Sequence, residues 1–347
     1  MVIYYLTGTN PINDNSGPGI CNKKYLAYMR KCNATVVICD TPGSVPDMPP
    51  DLFWLANIGN TFPLSFITDI TREFAIKFVL QEDGYSLLCP SKWSRICFAD
   101  KIAYDDPWAI DYISSDVVCD KVCQHTCMYI KSRVLTNKCT AFVAASPMHS
   151  RIWCNMFPIL NSKCVVKIPP IDTRLFRPTY INQVYNRYSN TYMYGGSQIA
   201  EHRGYSNTVR YVDFQGGILS TYGDPDKSVD DRLIRNWRGY IEQKNMPLAY
   251  SSSRYYIYIP EWPDPMGIGV IEALLCGCTV IVNDRVGAIS HPFVTDNCRH
   301  RSYYIAGAEL YDRYTMLSLK NKVGFVNTMK DAQSKLWRDV MKIVRSN

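Results

Sequence analysis

The chain has 347 residues, 47% hydrophobic and 20% charged, which supplies apolar material for two domains of roughly 100–200 residues and excludes a disordered chain. Its formal charge is +7, and the surplus lies in the second half: residues 1–172 hold 16 Lys and Arg against 15 Asp and Glu, whereas residues 173–347 hold 22 against 16. No run approaches the ~18 consecutive apolar residues of a membrane span, and the N-terminus has no charged-then-apolar leader, so a soluble protein without stable membrane insertion is expected.

In chain order, residues 2–6 (VIYYL) read as a buried strand, a loop carrying Gly17 and Gly19 leads into a helix at 23–31, and residues 35–40 form a second strand. Strand, helix, strand predicts a parallel sheet. Residues 86–89 and 140–144 read as further strands and 111–135 as a helix. A strand at 164–168 then runs into a proline-rich linker at 169–178. Beyond it, strands are expected at 191–194 (ending at Gly195 and Gly196), 209–214, 255–259 and 279–282, with a helix at 269–275. Nothing repeats at a fixed period, so a solenoid is excluded. The reading is two α/β halves, 1–172 and 173–347.

The most informative segment is PEWPDPMGIGVIEALLCGCTVIVND, residues 260–284. Asp264 precedes a Pro-Met-Gly turn, and an apolar helix carries Glu272 eight residues after the acid. Gly277 ends the helix before a buried strand. Glycine at 267 lets backbone N–H groups approach an anion, and the helix start adds partial positive charge. Glu272 is spaced to accept hydrogen bonds from ribose hydroxyls.

This segment resembles the donor-nucleotide site of retaining GT-B fold glycosyltransferases, the large sucrose-synthase-like family (glycosyltransferase family 4-like), whose pattern there is Glu-x7-Glu. IDTRLFRP at 171–178 is similar to that family's hinge. ASPMH at 145–149, with the strand after it, looks like the Ser-bearing helix start and last strand of its first domain. Gly17 and Gly19 sit where the family places a glycine loop near the donor phosphates. The resemblance implies two Rossmann-like domains with parallel sheets facing a central cleft. Residues 1–172 would bind the acceptor and 173–347 the nucleotide-sugar donor, with the last helix packing back on the first domain. It also implies a nucleotide-diphosphate sugar as donor substrate, with no cofactor and no metal. Asp264, on the transferred sugar, and Arg203, on the leaving diphosphate, become the catalytic candidates. Glu272, Met266, Gly267, Gly269, Gly196, Gly17 and Gly19 become donor contacts, and His149 a candidate base.

The chain departs from that pattern in two places. Asp264 is one methylene shorter than the family's glutamate. In GGSQIAEHRG, residues 195–204, Arg203 and Gly204 can stand for the family's Lys-Gly, but Ser197 or Gln198 occupies its Arg position. Arg210, Arg254 and Arg285 are the candidate replacements.

Other features have simpler readings. The fourteen cysteines are scattered through apolar runs, which suits reduced thiols in the cytoplasm. Cys119, Cys123 and Cys127, near His125, invite a zinc reading, but on a straight helix the outer two lie ~12 Å apart, so all three cannot hold one ion. Aromatic and basic residues at 185–188, 299–304 and 311–314 suit either nucleic acid or ordinary surface. A small enzyme with a basic second half is also similar to viral enzymes that glycosylate hydroxymethylated DNA bases. That acceptor is slightly favoured over a glycan, lipid or small molecule, and the nearly neutral first half weighs against a membrane-bound acceptor. A non-catalytic nucleotide-sugar-binding protein is the alternative from another class.

Overall fold

A computed structural model of the chain describes residues 1–8, 11–12, 17–59, 61–73, 76–84, 87, 127–168, 170–178, 190–227, 229–230, 232, 234–303 and 313–346. These fall into two compact units. One takes the described residues up to Pro170 together with Lys330–Asn347, and the other takes Ile171–Met329.

In the first unit, β1 (Val2–Thr7), β2 (Thr35–Cys39), β3 (Leu52–Ala56), β4 (Phe78–Glu82), β5 (Ala141–Ala144) and β6 (Cys164–Val166) form one sheet in the order β2-β1-β3-β4-β5-β6. Every neighbouring pair is parallel. Parallel neighbours need crossovers, and helices supply them: α1 (Gly17–Lys31), α2 (Leu64–Glu73), α3 (Cys127–Lys138) and α4 (Pro147–Met156). β3, β4 and β5 are buried at every position, as expected of strands covered on both faces. β3 and β4 lack the alternation that marks a half-buried strand, which is why sequence reading missed them. Gly17 and Gly19 belong to the first turn of α1 rather than to a loop before it, because the helix begins six residues earlier than its polar pattern suggests. The strand expected at 86–89, apart from Leu87, and the part of the helix expected at 111–135 that precedes Cys127 lie outside the described residues, as do Cys119, Cys123 and His125.

The last helix, α9 in chain order (Lys322–Ser346), contributes its residues from Lys330 onward to this first unit. Trp337 stacks on Trp54, centroids 6.2 Å apart, and the Lys77 ammonium donates to the Val344 carbonyl at 2.8 Å. Lys330–Asn347 carries five basic against two acidic side chains. Part of the basic surplus of the second half therefore belongs to the first unit, which corrects the picture of a nearly neutral N-terminal domain.

In the second unit, β7 (Thr191–Ile199), β8 (Ile218–Pro225), β9 (Tyr255–Tyr258), β10 (Thr279–Asn283), β11 (Cys298–Tyr303) and β12 (Tyr314–Leu319) lie in the order β11-β12-β10-β9-β7-β8. The helices are α5 (Tyr205–Phe214), α6 (Met246–Ser251), α7 (Ile268–Leu275) and α8 (Pro292–Asn297). Residues 209–214, expected as a strand, are helical. Val-Arg-Tyr-Val alternates well enough to mimic a strand, yet the buried positions Tyr205, Thr208, Tyr211 and Val212 follow a helical period. The strand is the next segment, β8.

The second sheet is also not wholly parallel. β8, β7, β9 and β10 are parallel, but β12 runs antiparallel to β10 and β11. The basic stretch after Cys298 forms the edge strand β11, with Arg299, His300 and Arg301 exposed. Charge on an edge strand discourages pairing with another chain. The stretch at 185–188, Tyr304, and residues 311 and 312 lie outside the described residues. Among the described residues, no helix is long and apolar enough to cross a membrane.

Candidate functional site

β9 ends at Tyr258, and the chain then reaches the loop opened by Asp264. The loop is pinned to the residues after β10: Asp264 N–H donates to the Arg285 carbonyl at 2.8 Å, and its carbonyl accepts from Gly287 N–H at 2.8 Å. The carboxylate turns inward. Oδ1 accepts from the amides of Met266, at 2.9 Å, and Gly267, at 2.8 Å, while Oδ2 accepts from the Tyr258 hydroxyl. Burial, and then the carboxylate itself, push the Tyr258 hydroxyl well above the ordinary tyrosine pKa, so it remains a donor.

Gly267 has φ +66° and begins α7 from the left-handed region. A Cβ there would lie 2.6 Å from Val286 Cγ1, so glycine is required both for the conformation and for the space. The anion that the amides of Met266 and Gly267 face is thus the chain's own Asp264 carboxylate. α7 itself has no side-chain cap, which leaves the amides of Ile268 and Gly269 as the donors of its first turn. Gly269 packs directly beneath the Tyr256 hydroxyl. One turn on, buried Glu272 accepts from Tyr250 Oη at 3.2 Å and from Gln243 Nε2 at 3.4 Å.

β7 delivers the other half of the site. It continues past Gly195 and Gly196 to Ile199, with a register shift between Gly195 and Gln198. The Tyr256 hydroxyl donates to the Gly195 carbonyl at 3.1 Å. A short turn then places Arg203, and Gly204 starts α5 with φ +77°. Arg203 Nη1 lies 3.3 Å from the position a Cβ on Gly196 would take, so the guanidinium rests against glycine backbone. Among the described residues the guanidinium makes no hydrogen bond or ion pair, and its Nε is buried. Burial opposes its charge, but the phenols of Tyr258 and Tyr194 and the Asp264 carboxylate hold its pKa above the ordinary arginine value. A permanently charged, half-buried group that makes no hydrogen bond or ion pair among the described residues suits an anion.

Of the candidate replacements for the family's missing arginine, Arg285 adjoins the loop, with Nη1 donating to the Glu261 carbonyl at 3.0 Å. Arg254 stacks on Tyr255 at the opposite end of β9, 4.9 Å from the ring centroid, and Arg210 is exposed on α5. Among the described residues, no group of three or more His, Cys, Asp or Glu side chains is arranged to hold a metal ion.

Solved structures share this architecture. Sucrose-phosphate synthase from Thermosynechococcus elongatus matches 100% of this chain and 94% of its own, at 12% identity and a TM-score of 0.56. Anabaena HepE, in complex with UDP-glucose, matches over 100% and 98%, at 11% identity and a TM-score of 0.52. The glycosyltransferase WaaG, involved in lipopolysaccharide biosynthesis, matches over 99% and 93%, at 10% identity and a TM-score of 0.53. The fold is GT-B. No family model matches the chain, and no curated protein matches it in sequence.

Within this GT-B chain the hinge-like segment has a physical basis. Asp172 Oδ1 accepts from the amides of Arg174, at 2.9 Å, and Leu175, at 3.2 Å, which closes a turn. Phe176 is fully buried in the second unit, its ring 6.3 Å from that of Tyr250.

The remaining candidates belong to the first unit. Gly17 and Gly19 lie at the start of α1. Ser146 caps α4, its hydroxyl accepting from His149 N–H at 3.1 Å. The His149 ring is fully buried. Its Nδ1 accepts from Ala145 N–H at 3.0 Å, and its Nε2 lies 2.9 Å from the Gly84 carbonyl oxygen and 2.8 Å from Trp153 Nε1. Burial lowers its pKa to about 4. These bonds tie the start of α4 to the chain after β4, the packed polar role that is commoner for such a histidine than catalysis.

Sequence reasoning also missed Tyr250, Tyr256 and Tyr258, each of which bonds a site residue or its neighbour. The signal was present in YYIYIP: alternate positions of a strand share a face, so Tyr256 and Tyr258 point the same way, immediately before the motif.

Proposed function

We propose that the chain is a glycosyltransferase that takes a sugar from a nucleotide-diphosphate donor and passes it, with retention of configuration, to a hydroxyl acceptor. The observation that carries this reading is Arg203, a half-buried guanidinium without a partner among the described residues, set against the Gly196 backbone and near the loop that starts α7. Arg203 and the first amides of α7 neutralise the leaving diphosphate, which removes the need for a metal or other cofactor. Glu272 takes the ribose hydroxyls. Asp264 acts through the loop it closes, shaping the wall that meets the transferred sugar. His149 is best read as a positioning group for α4 rather than the base, since both its nitrogens are engaged inside the unit.

The acceptor we favour is a hydroxymethylated base in DNA, on the strength of the basic surplus, including exposed Arg299 and Arg301. Such a base must leave the stack or be reached through local distortion. A glycan, lipid or small-molecule acceptor is the second reading. The basic Lys330–Asn347 segment in the first unit supports an anionic lipid surface as well as it supports DNA. The scattered thiols suit a cytoplasmic setting.

The deciding experiment incubates the protein with UDP-, ADP- and GDP-sugars, with and without hydroxymethylated DNA, and reads donor hydrolysis and nucleoside masses. Slow hydrolysis abolished by Arg203→Ala and Glu272→Ala is expected, with a hexose- or pentose-sized addition to the modified base. Donor binding without turnover or transfer would make the chain a nucleotide-sugar-binding protein instead. DNA binding that does not weaken as salt rises would sink the DNA reading.

A further inference from the structure

Asp264 and Arg203 carry opposite charges, and the carboxylate is near enough to raise the pKa of the arginine. Yet among the described residues the two form no ion pair, and Arg203 Nε stays buried without a partner. The other partners of Asp264 explain this. Two of its three donors, the amides of Met266 and Gly267, belong to its own loop and hold Oδ1. The third is the Tyr258 hydroxyl, which holds Oδ2. Tyr258 is the last residue of β9, buried and paired in register with Val282 of β10, so its ring cannot drift with the loop.

We infer that Tyr258 is a positioning residue of the donor site: its hydroxyl anchors Asp264 Oδ2 and so keeps the carboxylate from pairing with Arg203, leaving the guanidinium open to the donor diphosphate. This rests on the reading of Arg203 as the diphosphate contact. A carboxylate that loses its hydroxyl donor has an oxygen free for a neighbouring cation, and Arg203 is close enough to feel its charge. An Arg203–Asp264 pair would then have to be broken each time a diphosphate binds. Tyrosine at 258 prevents that pairing while adding no charge of its own.

The test is a double-mutant cycle on the full chain, with UDP, ADP and GDP binding measured by calorimetry and folding checked by thermal melts. Tyr258→Phe keeps the ring and removes the hydroxyl, and it is expected to weaken binding of the preferred diphosphate about tenfold. In an Asp264→Asn background, where position 264 has no charge to capture Arg203, the same change is expected to alter binding by less than about twofold. An equal loss in both backgrounds overturns the inference. Wild-type binding preserved in Tyr258→Phe overturns it alone. Failure of the wild-type protein to bind any of the three diphosphates overturns the donor-site reading and the inference together.

Discussion

Gly204 is the position at which the backbone itself sets the site, and its replacement by alanine isolates that contribution. At φ +77°, a Cβ on residue 204 would lie 2.6 Å from the Ile259 carbonyl carbon, closer still to its oxygen, and 3.1 Å from Pro260 Cα. Every one of these atoms is backbone, so no side chain can swing aside. The left-handed conformation costs alanine about 1–2 kcal/mol, and forcing the segment after β9 outward adds about 1–3 kcal/mol. The combined loss of roughly 2–5 kcal/mol corresponds to a fall in Tm of roughly 5–20 °C for a unit of this size. Gly216→Ala is the matched control, since φ there is +60° and no atom lies within 4 Å of the added Cβ. It bears only the conformational cost, about 1–2 kcal/mol. Differential scanning calorimetry of the two variants separates the terms. Equal Tm values for Gly204→Ala and Gly216→Ala would refute the reasoning that close approach of two backbone segments holds Arg203 in place. Gly204→Ala is also expected to lose nucleoside diphosphate binding at temperatures where it remains folded, because Arg203 immediately precedes the displaced residue.

Further outcomes follow from other contacts. The folded-state pKa of His149 is lowered to about 4 from an ordinary 6.5, so the unfolded chain binds more protons between those values and stability falls as pH drops through that window. The loss approaches about 3 kcal/mol at the acid end, and urea unfolding against pH should show a shallower dependence in His149→Asn. Trp337→Ala removes the stack on Trp54 and should destabilise the first unit by about 2–4 kcal/mol, read as a lower urea midpoint. An unchanged midpoint would mean that the C-terminal segment does not support that unit. Glu272→Gln should weaken UDP about tenfold, the scale of one charge-assisted hydrogen bond, while leaving 2′,3′-dideoxy-UDP unaffected. Equal losses for both nucleotides would remove Glu272 from the ribose.

The readable parts of the chain were those whose partners are close in sequence. Asp264, Gly267 and Glu272 fall within one turn and one helix, so their spacing alone brings them to one end of α7, and Gly277 marks where that helix stops. Asp172 and Phe176 are likewise a local turn and its anchor. The βαβ start of the first sheet was legible because hydrophobic pattern is a local signal. His149 and Arg203 were picked out as residues, but not for what surrounds them.

What tertiary structure alone decided depends on residues far apart. Segment 209–214 carries a pattern compatible with a strand, and its helical state shows only in which of its residues, with Tyr205 and Thr208, are buried in the fold. The antiparallel β11 and β12 look no different in sequence from parallel strands, because alternation records which face is buried and not the direction of the neighbour. The basic tail reads as part of the second half until Trp337 meets Trp54. The most consequential case is Arg203. Its charge is written in the sequence, but its lack of a partner among the described residues depends on what is packed around it: Gly196 beside the guanidinium and Tyr258 holding Asp264. Sequence determines which charges a chain possesses, and only the folded arrangement determines which of them remain uncompensated.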